Sequence, residues 1–212
     1  MGGEVTEIVG HSCSGKSQFS LHLSLETAKA SHDVFLFETN CSYHSHQLAR
    51  ILRAKGFESD EEAILSRIHV YRVLEMRRFL CLINKLIHEL DKLNSSYSNL
   101  KMIVIDSLIF LFVDSLNLRN DPKRKYEAWF ILKSLIQSFK TIFQKRPDIA
   151  VVAVNFRPNR LGNLWKNFCK VSLEFTALTK NLGFQVNVAE GGRIYHHEAC
   201  RLLLTSEGFR DY

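Results

Sequence analysis

Gly10-His11-Ser12-Cys13-Ser14-Gly15-Lys16-Ser17 matches G-x-x-x-x-G-K-[ST] at every fixed position. With average residue usage, a chance match in 212 residues is about a one-per-cent event. The chemistry this spacing supports is phosphate binding. Two glycines let the backbone wrap an anion, amides at the start of the following helix point at it, and the helix dipole favours its charge. Lys16 would reach the β and γ phosphates of a nucleotide, and the Ser17 hydroxyl would ligate Mg²⁺. Such a site needs a second carboxylate to order the metal, at the end of a buried strand. Asp106 directly follows the apolar run Met102-Ile103-Val104-Ile105 and is the candidate.

These residues need a strand before the loop, a helix after it and a buried sheet beside it. Glu4–Gly10 alternates and then ends apolar, as a buried strand does, and Ser17–Ala30 reads as a helix. Val34–Phe37, Ile68–Val73, Met102–Ile105 and Ile149–Val154 are strand candidates, the first and last apolar on both faces. Gln47–Lys55 is helical in composition. Glu75–Leu93 and Tyr126–Phe143 are long amphipathic helices, with residues 94–99 a loop. Beyond Lys170 come three β-like pieces, Val171–Phe175, Phe184–Val188 and Cys200–Thr205, with a polar joint around His196-His197. Strands alternating with helices for about 155 residues and then strands alone predict an α/β core, mainly parallel, with a C-terminal antiparallel β-meander.

Composition sets the limits. The chain has 28 Lys+Arg against 22 Asp+Glu, a formal charge of +6, which permits a polyanionic partner without requiring one. Three prolines and ten glycines exclude collagen-like and low-complexity chains. A mean hydropathy of −0.08 and no apolar run near 18 residues give no transmembrane helix and no membrane partner. No basic segment followed by an apolar stretch opens the sequence, so no secretory signal is read there. Cys13, Cys41, Cys81, Cys169 and Cys200 are odd in number and widely spaced, which favours a reducing compartment over a disulfide scaffold. Cys41 with His44-x-His46 lacks a second ligand cluster and is set aside as a metal site. Cys13 is read as a small inert residue, although a helix N-terminus lowers thiol pKa.

The opening GGEVTEIVGHSCSGKSQ, then IHVYRV, KMIVIDSLIFLF, LGNLWKNFCKVSLEF and the terminal EGFRDY resemble, in that order, the RecA/RadA recombinase superfamily. The eukaryotic Rad-fifty-one recombinase and its paralogues are the most similar branch, and the resemblance covers essentially the whole chain. It implies a P-loop NTPase core of RecA type over residues 1–212, ATP and Mg²⁺ as cofactors, and a nuclear role in homologous recombination. Gly10, His11, Ser12, Cys13, Ser14, Gly15, Lys16, Ser17 and Asp106 would then hold the nucleotide, Ser17 and Asp106 through Mg²⁺. Family members carry a helical N-terminal domain and a linker with a Phe-x-x-Ala motif. Only Met1 precedes Gly2 in this sequence, so homopolymerisation through that linker is not expected.

The chain departs from the family at the reacting end. Active members follow the strand matching Val34–Phe37 with an acid-Thr-Glu-Gly segment whose Glu activates water. Glu38-Thr39-Asn40-Cys41 places Asn40 there, and an amide cannot take a proton at neutral pH. Glu38 shares Asn40's side of the strand about 6–7 Å away. The strand Ile149–Val154 leads in the family to a Thr-Asn-Gln that senses the γ-phosphate, whereas this chain has Asn155-Phe156. Binding with slow or absent hydrolysis is expected, and no catalytic residue is assigned.

Family members meet DNA through two loops. The first here contains Arg119, Lys123, Arg124 and Lys125; the second contains Arg157, Arg160, Trp165, Lys166 and Lys170. Cations with an interleaved aromatic suit phosphate contact and base stacking. The bland readings are a solvated helix start for Lys123–Lys125 and a core position for Trp165. The expected function is a recombinase paralogue acting as an accessory or mediator factor. It would bind ATP, pair with another paralogue and assist recombinase filaments on single-stranded DNA. The rivals are a DNA-stimulated ATPase using Glu38, or a scaffold that keeps the loop only for folding.

Overall fold

The computed structural model describes residues 2–40, 45–92, 97–112, 122–157, 161–178, 183–190, 193–205 and 208–211. Its strands are β1 Val5–Gly10, β2 Asp33–Glu38, β3 Ile68–Arg72, β4 Leu100–Asp106, β5 Ala150–Phe156, β6 Val171–Ala177, β7 Gly183–Glu190, β8 Arg193–Thr205 and β9 Gly208–Asp211. The helices are α1 Lys16–Lys29, α2 Ser45–Ala54, α3 Glu61–Leu65, α4 Met76–Leu90, α5 Pro122–Lys145 and α6 Gly162–Phe168, with a 3₁₀ turn over Leu108–Phe112. Among the described residues the strands form one sheet in the order β3-β2-β4-β5-β1-β6-β7-β8-β9. The first six run parallel, and β7, β8 and β9 add antiparallel at one side. This is the α/β arrangement expected, and it is consistent with a RecA-like core.

Period-two alternation within apolar strands builds two cores, one on each face of the sheet. Phe35, Phe37, Ile103, Ile105, Val151 and Ala153 face α4, α5 and α6. Val34, Leu36, Val104, Val152 and Val154 face α1, α2, α3 and side chains of β7 and β9. Full burial of side chains such as Phe37, Phe79, Phe139 and Leu25 shows both cores closed. Helix α1 approaches the sheet closely because small residues lie on its inner face, where Ser20 and Ser24 return their hydroxyls to the Ser17 and Ser20 carbonyls.

Two details differ from the sequence reading. The last part is not strands alone, because α6 intervenes between β5 and β6, and β6 pairs parallel with β1 before the antiparallel strands begin. His196-His197 is not a joint: it lies inside β8, which begins at Arg193. The β7–β8 register shifts from Val186↔Cys200 to Val188↔Tyr195, so residues 196–199 are taken up in an irregular stretch opposite Asn187. That irregularity breaks the alternation by which a strand is recognised.

Candidate nucleotide site

The loop Gly10–Ser17 joins β1, at the middle of the sheet, to α1. Gly15 holds a left-handed φ of +86° at the helix start, and a Cβ there would stand 3.0 Å from the Phe184 ring. A Cβ on Gly10 would meet the Phe175 carbonyl oxygen at 2.4 Å, so β6 presses directly on the loop's first residue. Cys13 also takes positive φ, at 59°. His11, Ser12 and Cys13 are exposed, while Ser14 and Lys16 are buried. The loop thus offers an open outer rim over a packed base.

Lys16 folds back into its own loop, donating to the His11 carbonyl and, at 3.2 Å, to Ser14 Oγ. Burial lowers its pKa, partly offset by the Asp106 carboxylate. Asp106 is buried at the end of β4, and burial raises its pKa against a hydrogen bond from Ser17 and the charge of Lys16. Its Oδ1 accepts no hydrogen bond, an orphaned buried acceptor of the kind a metal or its water would satisfy. Ser17, Gln18, Leu21, Leu36, Glu38, Gln47 and Asp106 enclose a cavity of about 170 Å³. The residues present therefore fit Mg²⁺ with a nucleotide: Ser17 and Asp106 would hold the metal, Lys16 and the loop amides the phosphates. A bound Mg²⁺ would supply charge neutralisation at the phosphate oxygens.

Strand alternation sorts the remaining candidates. Glu38 and Asp106 pair across β2 and β4 and both belong to the α1 face, where they line that cavity together. Glu38 is buried and accepts a hydrogen bond from Arg72 Nε at 3.0 Å. Thr39 anchors the chain beyond it, with its hydroxyl 2.7 Å from both the Ser107 N–H and carbonyl. Asn40, half-buried, follows in the bend after β2.

Asn155 faces the other way. Its Nδ2 donates to Glu7 Oε1 at 2.6 Å and its Oδ1 accepts the Ile109 N–H at 3.0 Å. Trp165 Nε1 donates to the same Glu7 oxygen at 2.7 Å. Asn155 is thus a core link and not a group turned toward the loop Gly10–Ser17; Phe156, next along the strand, puts its ring 4.8 Å from Lys16 Nζ. Glu7 escaped the sequence reading, although a lone carboxylate in a strand buried on both faces demands partners. The Lys16–Phe156 and Glu38–Arg72 contacts had no spacing to reveal them.

The expected DNA-facing residues divide. Lys123 and Lys125 are exposed at the start of α5, and Lys166 is exposed on α6. Arg119, Arg160 and the Arg124 side chain lie outside the described residues. Arg157 pairs with Glu174 at 2.5 Å, and Lys170 stands 3.7 Å from Glu4. Trp165 is the correction: fully buried, with its N–H committed to Glu7, it has no face for a base. Cys41 and His44 lie outside the described residues. Among the described residues no group of three His, Cys, Asp or Glu could hold a metal, and no helix is long and apolar enough to cross a membrane.

No family model matches the chain. It is similar to the DNA repair protein RAD51 homolog 4 of Bos taurus, with 27% identity over 156 residues covering 72% of this chain and 46% of that protein. It is also similar to the DNA repair protein RAD51 homolog 4 of Mus musculus, with 26% identity over 176 residues covering 77% and 51%. The chain spans about half the length of these curated relatives, and the likeness supports similarity at the level of the RecA/RAD51 family.

Proposed function

We infer that the chain is a recombinase paralogue that binds Mg-ATP as a structural ligand and serves homologous-recombination DNA repair as an accessory subunit. In that role it pairs with another paralogue in the nucleus and assists recombinase filaments on single-stranded DNA. One observation carries this reading: Lys16, Ser17 and Asp106, the residues a phosphate cradle would need, come together in the structure. The resemblance matches Asn40, an amide, to the family's base position, and the Phe156 ring lies beside Lys16. The repair role draws on the likeness to the RAD51 homolog 4 proteins.

The reading is tested by melting temperature and turnover measured together. Mg-ATP at about a hundred times Kd should stabilise the protein by about 2.7 kcal/mol, Lys16→Ala should abolish that shift, and turnover should stay near background with single-stranded DNA. Asn40→Glu should raise turnover if the lost base is the main deficit, by about 10²-fold. Wild-type hydrolysis at rates typical of an active recombinase would overturn the static-ligand reading. Glu38, lining the same cavity as Ser17 and Asp106, favours one alternative: a DNA-stimulated ATPase in which Glu38 leaves Arg72 to act as base. Loss of a real turnover in Glu38→Gln, with binding kept, would select it.

A further inference from the structure

Helix α5 carries large rings on the face where a surface helix ordinarily carries charge. Tyr126, Trp129 and Phe130 follow i, i+3, i+4 spacing and are 68%, 46% and 59% exposed. The opposite face, with Ala128, Leu132, Leu135, Ile136 and Phe139, is already buried in the core. The exposed rings are therefore surplus to folding. They are also ordered among themselves: Tyr126 and Trp129 lie 28° from parallel with centroids 6.2 Å apart, and Lys133 Nζ stands 5.3 Å from the Trp129 centroid.

Charge surrounds the rings. Lys123 and Lys125 are exposed in the turn before them and Lys133 in the turn after, with Glu127 the acid among them. Exposed rings grouped on one helix face mark a contact, and the charges beside them say with what. Protein interfaces enrich such rings too but deplete lysine at their centres, whereas here Lys133 lies over the Trp129 ring itself. Single-stranded nucleic acid wants the combination seen here, rings for unpaired bases and cations for phosphates. Because β4 ends at Asp106 and α5 must return to the start of parallel β5, the first turns of α5 lie at the sheet edge that carries the loop Gly10–Ser17.

We propose that Tyr126, Trp129 and Phe130, with Lys123, Lys125 and Lys133, form a stacking surface for single-stranded DNA. The choice of DNA rests on the repair reading above; the surface itself is distinct from the segment 157–170, whose tryptophan is buried. It supplies the aromatic component that Trp165 cannot.

The sequence contains two tryptophans, Trp129 exposed and Trp165 buried, so fluorescence separates them. The full chain is titrated with oligothymidylate about thirty nucleotides long, with oligouridylate of equal length and with duplex DNA. Oligothymidylate should quench the emission, and Trp129→Phe should remove the quench while the buried Trp165 emission persists. Tyr126→Ala and Trp129→Ala, folded by circular dichroism, should each weaken oligothymidylate binding by about tenfold, with duplex bound less tightly. Lys133→Ala should make the log–log salt dependence shallower by about 0.7. Unchanged affinity in both ring variants overturns the proposal while leaving the repair reading intact, as does failure to bind oligothymidylate in a protein that Mg-ATP still stabilises. Oligouridylate bound more tightly through the same rings overturns the assignment to DNA. A self-associating protein made monomeric by Trp129→Ala, with DNA binding unaltered, assigns the face to protein contact and overturns it as well.

Discussion

Asp106 concentrates the electrostatic cost of the site in one side chain. Its burial favours the protonated carboxyl, and the Ser17 hydrogen bond and Lys16 charge only partly restore the ionised form. With the folded pKa raised above the ordinary value of 3.8, this group's contribution to stability is complete below that value and is lost as pH rises through the folded one. Asp106→Asn should therefore raise the ligand-free stability at neutral pH by roughly 1–3 kcal/mol. The gain should vanish below about pH 3.8, and the variant should lose the thermal shift with Mg-ATP. Chemical denaturation at several pH values, with and without Mg-ATP, checks all three. An apo-protein weakened at neutral pH would show that Asp106 is a structural link instead. Asp106 was legible in the sequence because a carboxylate ending an apolar run stands out. Glu7 and Asn155 were not legible as a pair, because 148 residues separate two partners that adjacent parallel strands bring within 2.6 Å.

At the scale of elements, the turn from β1 into α1 depends on backbone conformation and on what lies beneath it. Gly15 and Gly162 both have positive φ, 86° and 76°, but a Cβ on Gly15 meets the Phe184 ring while one on Gly162 meets nothing within 4 Å. Alanine at Gly162 should cost about 1–2 kcal/mol, the strain of the left-handed conformation alone. Gly15→Ala should cost more, because it adds displacement of a packed ring, and should weaken Mg-ATP binding as well. Equal losses in melting temperature at the two positions would mean that Phe184 yields freely. The strands β1 to β5 and the long helices were readable from their periodicity, within a few residues at each end. The short helix α6 was not, since its buried Trp165 and exposed Lys166 fit a cationic loop equally well until a partner for the indole is known.

Across the whole molecule, the C-terminal strands support the loop Gly10–Ser17 from the side. The Phe209 ring on β9 packs on Phe19 and His22 of α1 and on Phe184 of β7, with centroids 5.5, 6.2 and 5.7 Å away. Phe184 in turn lies under Gly15. Phe209→Ala should lower stability by about 2 kcal/mol, less than for a fully buried ring, and should reduce the nucleotide-induced thermal shift although Phe209 lines no part of the cavity. Calorimetry with and without Mg-ATP tests this. A stability loss with the nucleotide shift unchanged would confine Phe209 to packing.

The linear sequence determined which groups are of the type that would hold a phosphate and a metal, because the loop Gly10–Ser17 is contiguous and its chemistry is set by residue type. It also determined that strands buried on both faces would form a largely parallel sheet, since apolar runs have no other place to go. Only the tertiary structure decided how the remaining groups are used. Strand parity turns Glu38 and Asp106 toward α1 and Asn155 toward Trp165, and helix packing buries Trp165 while leaving Trp129 in solvent. These outcomes depend on pairings between residues far apart in the chain, to which local spacing carries no reference.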